Sequence, residues 1–138
     1  MNNPDRHSVN NLKHAELTGN ILKSFFEVFD VLGYGFLESV YHQAMFIQLR
    51  EMGLRVESQF GIDVLYKTHT IGRFYADFVV ENLVIIELKA VSDIIPAHKA
   101  QLLNYLRASD YEVGLLLNFG KRPEYKRMID DGVKPRRL

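Results

Sequence analysis

The sequence predicts a mixed α/β (α+β) domain in which helices flank a mixed β-sheet. Three observations predict it. Apolar residues recur at three- and four-residue spacing as far as Met52, then alternate with polar ones from Leu54. A helical pattern returns after Pro96 and gives way to an apolar run, Tyr111 to Phe119. The 138 residues, 47% hydrophobic and 25% charged, suit one globular domain with its own core.

Each element has a local signal. Residues 1–11 are polar, show no apolar stretch like that of a signal peptide, and read as a flexible N-terminus. From about His14, the positions Leu17, Ile21, Phe25, Val28 and Leu32 form one stripe of an amphipathic helix. Gly33-Tyr34-Gly35 breaks it, and a second helix runs from about Phe36 to Met52, ending at Gly53. Leu54 to Tyr66 alternates as a strand and Lys67-Thr68-His69-Thr70 is a turn. Ile71 to Val80 and Leu83 to Ala90 follow as an antiparallel hairpin. Pro96 suits the first turn of a helix reaching about Ala108. After the strand ending at Phe119, a short helix is expected beyond Pro123. The expected order is α-α-β-β-β-α-β-α, with residues 12–130 as a single domain and 131–138 as a basic tail.

Composition narrows the chemistry. With no cysteine, disulfides, zinc ribbons and thiol nucleophiles are excluded. No apolar run approaches the roughly 20 residues of a membrane helix, so a cytoplasmic location is expected. Basic and acidic residues balance at 17 each, but Lys121, Arg122, Lys126, Arg127, Lys134, Arg136 and Arg137 crowd the C-terminal end. A basic end on an acidic body suits a nucleic-acid partner, with Lys121, Arg122, Lys126 and Arg127 as the phosphate-contacting candidates. A merely solvated C-terminal segment is the simpler alternative.

The informative segment is Gly72 to Lys89. Its two strands are apolar throughout except at Arg73, Asp77, Glu87 and Lys89. Charges in otherwise buried strands are costly unless paired or bound to metal. Parity decides whether they meet, because directly opposed residues of an antiparallel pair project to one face. A two-residue loop Glu81-Asn82 would set Asp77 against Ile86 and put the carboxylates on opposite faces. A three-residue loop, Val80-Glu81-Asn82, sets Val79 against Leu83 and Asp77 against Ile85. Asn82 then takes the left-handed conformation, and Asp77 lies diagonal to Glu87. The odd loop, or a bulge before the turn that achieves the same, is expected, since either converges three costly charges. Two carboxylates and a lysine suit a Mg2+ (or Mn2+) site for phosphodiester cleavage, the metal taking carboxylate, water and phosphate oxygens. On spacing alone, a structural ion pair of Lys89 with Asp77 or Glu87 is the simpler reading.

The wider pattern adds weight. Asp77 followed by Glu87-Leu88-Lys89 on a hairpin, after a helix and before α-β, resembles the core of the PD-(D/E)XK nuclease superfamily. Within it, Gly35-Phe36-Leu37-Glu38-Ser39-Val40-Tyr41 resembles the motif naming the GxxExxY family. So do Ile85 to Val91 and Gly114 to Gly120. Ala76 stands where the superfamily's name has proline. The resemblance implies a restriction-endonuclease-like core, with Asp77 and Glu87 as metal-binding carboxylates and Lys89 as the catalytic lysine. Glu38 is implied as a further acid at the metal, although an acid in a first helical turn is favoured anyway. Tyr41, three residues on, either acts on the same site or is a core aromatic with a satisfied hydroxyl. Gln101 and Tyr105, at i and i+4, resemble a supporting motif of RecB-like members, and His98 reads as adjacent to the site. His7, His14, His42 and His69 show no metal-ligand spacing and read as surface or core residues. The implied function is metal-dependent cleavage of DNA or RNA, with a homodimer or a protein partner as the sources of specificity that so short a chain leaves open. A non-catalytic module that binds nucleic acid or protein on the same fold is the alternative.

Overall fold

The computed structural model describes the backbone of residues 5–130 and the side chains of residues 14–130. The basic tail, residues 131–138, and residues 1–4 lie outside the described residues. The elements are α1 (Asp5–Leu32), α2 (Glu38–Glu51), β1 (Val56–Tyr66), β2 (His69–Val80), β3 (Val84–Lys89), α3 (Pro96–Ala108), β4 (Val113–Phe119) and β5 (Pro123–Ile129). The five strands lie in sequence order, with β3 and β4 parallel and every other neighbouring pair antiparallel.

Three layers result. Helices α1 and α2 cover one face of the sheet, where Phe25, Tyr41, Met45, Phe78, Ile86 and Leu117 share a core. Helix α3 covers the other, where Leu102 and Leu106 meet Val79, Ile85 and Leu116. The stripe Leu17, Ile21, Phe25 and Val28 is buried as its spacing predicts. Helix α1 begins at Asp5, well before the expected start near His14. Helix α2 closes at Gly53 (φ 80°), whose N–H donates to the Arg50 carbonyl while Leu54 N–H reaches back to Leu49. This paired C-cap satisfies carbonyls that the helix end leaves open. Among the described residues, no helix is long and apolar enough to cross a membrane.

The last element is a strand, not the expected helix. All seven residues of β4 are buried, so β4 cannot lie at the sheet edge. The chain reverses and β5 pairs along it from Phe119↔Pro123 to Val113↔Ile129. Pro123 stands at the first strand residue, where its missing N–H is tolerated. Tyr125 sets its ring edge-on to Phe26 of α1, 6.2 Å away. The basic candidates are divided as a consequence. Lys121 and Arg122 are exposed at the β4–β5 turn, whereas Lys126 and Arg127 are adjacent on β5 and project to opposite faces.

The sheet forks at Asp77. The β1–β2 ladder continues out to Tyr66↔His69, but the β2–β3 ladder ends at Phe78↔Ile86. Beyond the fork, β1 and β2 form a two-stranded arm. Its side chains also change face. Phe78 joins the α1/α2 core, yet Ala76 joins the α3 core and Phe74 stacks on Tyr105 of α3. In a regular strand, residues 76 and 78 would share a face. The irregularity lies opposite Asp77 at Gln59, a non-glycine residue held at φ 51°. Such left-handed strain persists only where surrounding structure imposes it, and it gathers at functional sites.

Candidate active site

The turn between β2 and β3 settles the parity question. Val80 pairs with Val84, so the loop is Glu81-Asn82-Leu83, three residues long and displaced by one residue from the expected loop. Glu81 and Asn82 both take positive φ, at 52° and 53°. The odd length brings Asp77 and Glu87 together: carried one step past its last pair, Phe78↔Ile86, the register sets them across from each other rather than diagonally. No ladder pair forms there. Instead, a carboxylate oxygen of Asp77 accepts the backbone N–H of Leu88 at 2.8 Å. Asp77 thus occupies the opening of the fork, tied to β3 through its side chain.

Glu87 sits deeper. Its Oε1 is buried and, among the described residues, has no hydrogen-bond partner. Burial first, and the adjacent Asp77 charge second, push its carboxyl up to about 8, against a smaller opposing pull from the Asp77 amide and Lys89. Lys89 is two residues further along the same face of β3. Glu38 opens α2, where an acid complements the helix N-terminus. Its carboxyl is also pushed up, chiefly by desolvation and then by Asp77, while Lys89 and His42 oppose the shift. On the α3 side, the Tyr105 hydroxyl is pushed up by burial and then by the Glu87 charge, with a hydrogen bond from Gln101 working the other way. Six residues separated by up to 67 positions therefore share one electrostatic neighbourhood: Glu38, Asp77, Glu87, Lys89, Gln101 and Tyr105.

Two candidates have other roles. Tyr41 is fully buried and stacked on Phe119 at 4.1 Å. Its hydroxyl donates to the Gly33 carbonyl (2.7 Å) and accepts the Phe36 N–H (3.3 Å). It is the core aromatic of the two readings, and it clamps the turn that delivers Glu38. Both glycines of that turn have positive φ, 68° at Gly33 and 107° at Gly35, where a side chain is strained. His98 serves its own helix. Its Nδ1 accepts the Ile95 N–H at 3.2 Å and closes the first turn of α3.

Two residues of the site escaped the sequence reading. His42, read as a surface or core residue, lies one helical turn after Glu38 and stacks on Phe78 at 4.3 Å. With its proton on Nε2, it donates to the carbonyl oxygen of Asp77 (3.3 Å). An open cavity of about 400 Å³ lies here, lined by Glu38, His42 and Gln43 from α2 and by Ser58, Gln59 and Asp77 from the sheet. The i, i+4 spacing from Glu38 was the available signal. Asn118, the second, is fully buried on β4 beside Lys89. Its amide brackets Val91, accepting that residue's N–H at 3.0 Å and donating to its carbonyl at 2.9 Å. Both bonds fix the segment leaving Lys89. Replacing Asn118 by Ala strands two backbone groups and is expected to lower stability by about 2–3 kcal/mol in urea unfolding.

The donor set suits a divalent cation. Among the described residues, no three acidic or imidazole side chains are gathered closely enough to cage a metal by themselves. Two opposed carboxylates, one with an orphaned buried oxygen, match the partial protein coordination that Mg2+ accepts. Glu38 stands outside that pair, so direct coordination by all three acids is not what the geometry favours.

Comparison with known proteins agrees with this architecture. The crystal structure of SSO0001 superposes with a TM-score of 0.54 at 19% sequence identity, covering 67% of this chain and 49% of that one. The likeness is one of fold, and it spans about half the length of that structure. No curated protein sequence matches. Residues 15–128, from within α1 to within β5, match the family described as the PD-(D/E)XK nuclease superfamily. The chain therefore belongs to the PD-(D/E)XK nuclease superfamily.

Proposed function

We propose that this protein is a divalent-metal-dependent nuclease of the GxxExxY type, hydrolysing phosphodiester bonds in DNA or RNA with Mg2+ or Mn2+. The observation that carries the reading is Glu87: a buried carboxylate with an unpartnered oxygen, facing a second carboxylate across the fork. A binding module has no use for that arrangement, since ionising Glu87 in a buried position beside Asp77 is costly. A cation between them removes that cost.

Asp77 and Glu87 would hold the metal, and Glu38 would reach it through water. The bound ion supplies positive charge that polarises the scissile phosphate and acidifies nearby water. The remaining work belongs to the chain. Lys89 places an ammonium group where charge builds on the phosphoryl oxygens, and it orients the attacking water. Glu38, with its raised pKa, accepts a proton more readily than an ordinary surface carboxylate does. Gln101 and Tyr105 close the α3 side and offer hydrogen bonds to a phosphate. Lys121 and Arg122, exposed at the β4–β5 turn, are placed to contact the nucleic-acid backbone.

The test is purified protein with Mg2+ or Mn2+ on single-stranded DNA, duplex DNA and RNA, beside Glu87→Gln. Metal-dependent cleavage that the substitution lowers by at least about a hundredfold supports the reading. Equal activity of the variant, or activity that survives chelation, contradicts it.

A further inference from the structure

The β1–β2 arm carries an exposed aromatic surface that the carboxylate site does not use. Tyr75 is 58% exposed, two residues before Asp77 on β2. Its neighbour Phe74 turns the other way and stacks on Tyr105 with ring centroids 3.6 Å apart. Tyr75 and Arg73 therefore project from the face of the arm that points away from α3. Across the ladder they meet Gly61 and Asp63.

The pair is held in place. Arg73 Nε donates to Asp63 Oδ1 at 2.7 Å, and hydrogen bonds to Asp63 and then Tyr75 raise the guanidinium's pKa. Gly61 is what lets both side chains lie close over β1. A Cβ at that position would stand 3.2 Å from Tyr75 Cε1 and 3.6 Å from Arg73 Cζ. An aromatic ring and a guanidinium are thus packed over a glycine, with the outer side of the ring open to solvent. Asp63 already answers the charge of Arg73, so the patch presents a flat π surface rather than a free cation for phosphate. Two residues of extended strand span roughly 7 Å, and Asp77 lines the cavity under Glu38, His42 and Gln43 of α2, on the side of the sheet from which Tyr75 projects.

We propose that Tyr75, ordered by Arg73 and Gly61, is a stacking platform for an unpaired base next to the phosphate held at Asp77 and Glu87, making single-stranded nucleic acid the substrate class. The proposal rests on the nuclease reading for the position of the phosphate. Bases inside a duplex are stacked on one another and offer no free face to such a ring. Single-strand-binding proteins use aromatic platforms of this kind, and the stacking is indifferent to base identity and to sugar.

Binding in metal-free buffer tests the platform apart from catalysis. The probes are DNA and RNA single strands of about 12 nucleotides carrying one 2-aminopurine, with the duplex of the same sequence as competitor. The full chain should bind both single strands more tightly than the duplex and quench the 2-aminopurine. Tyr75→Ala should weaken single-strand binding roughly tenfold or more and abolish the quench, while Tyr75→Phe keeps both. Gly61→Val, which drives a side chain into the Tyr75 ring, should weaken binding with the ring still present. Unchanged affinity in Tyr75→Ala, or a preference for duplex, overturns the platform even if metal-dependent cleavage is intact. Tyr75-dependent binding without cleavage instead supports the platform and removes the nuclease reading.

Discussion

Replacing Glu87 by Gln should make the metal-free protein more stable. The carboxyl is pushed up to about 8 in the fold, chiefly by burial and then by Asp77, against an ordinary value of 4.5. The folded state therefore holds this proton more tightly than the unfolded chain does. The sign follows: the contribution is fully present below about pH 4.5 and is lost as pH rises through about 8. Each unit of such a shift is worth about 1.4 kcal/mol, so at pH 8 the ionised pair costs a few kcal/mol. Glu87→Gln removes that cost, because the amide is neutral at every pH. Thermal unfolding in chelator should show wild type losing stability across that window and the variant holding nearly level. At pH 8 the variant's Tm should be higher by about 5 °C or more. Adding Mg2+ should reverse the order by raising the wild-type Tm and leaving the variant unmoved. A variant less stable than wild type in chelator would show that Glu87 is a structural ion-pair partner.

Asp77→Asn and Lys89→Ala should both abolish most cleavage, by different routes. Asp77 has two tasks, as a charge facing Glu87 and as the acceptor of the Leu88 N–H. Asparagine retains an acceptor oxygen for that bond but carries no charge, so the fork should stay closed while metal affinity falls. Lys89 has no place among the ligands. Its loss should leave metal affinity near the wild-type value and lower the single-turnover rate about a hundred- to thousandfold, the range typical for one electrostatic group acting on the transition state. Lys89→Arg should rescue little, because a planar guanidinium does not fit where a compact ammonium did. Rates at saturating metal, measured beside metal affinity, separate the two routes. Equal loss of affinity in both variants would contradict the division of roles.

Much of the site was legible because burial makes charge conspicuous. In strands as apolar as Phe74–Val80 and Leu83–Leu88, an Asp and a Glu need a reason, and parity demanded an odd loop to bring them together. The loop is odd, as expected, but its residues are 81–83, because register follows backbone geometry that alternation alone leaves free. The fork itself was not legible. It depends on a face change at Asp77 opposite a strained Gln59, and nothing in a glutamine announces positive φ. The final strand was misread because Pro123 marks a helix start as readily as a strand start. What excludes the helix is the need of a fully buried β4 for a second neighbour, a tertiary demand. Tyr41 and His42 show the same limit on a smaller scale. They are adjacent on α2, one serving the turn before Glu38 and the other the carbonyl of Asp77, and helix spacing cannot say which.

The most direct test of the shared cation is calorimetric titration of Mn2+ into the full-length protein at pH 7.5, beside Asp77→Asn and Glu87→Gln. The account predicts saturable binding in wild type, with proton release as Glu87 gives up its proton to the metal, and loss of both heat and proton release in each variant. Wild-type binding that either substitution leaves unchanged would place the ion elsewhere and contradict the account.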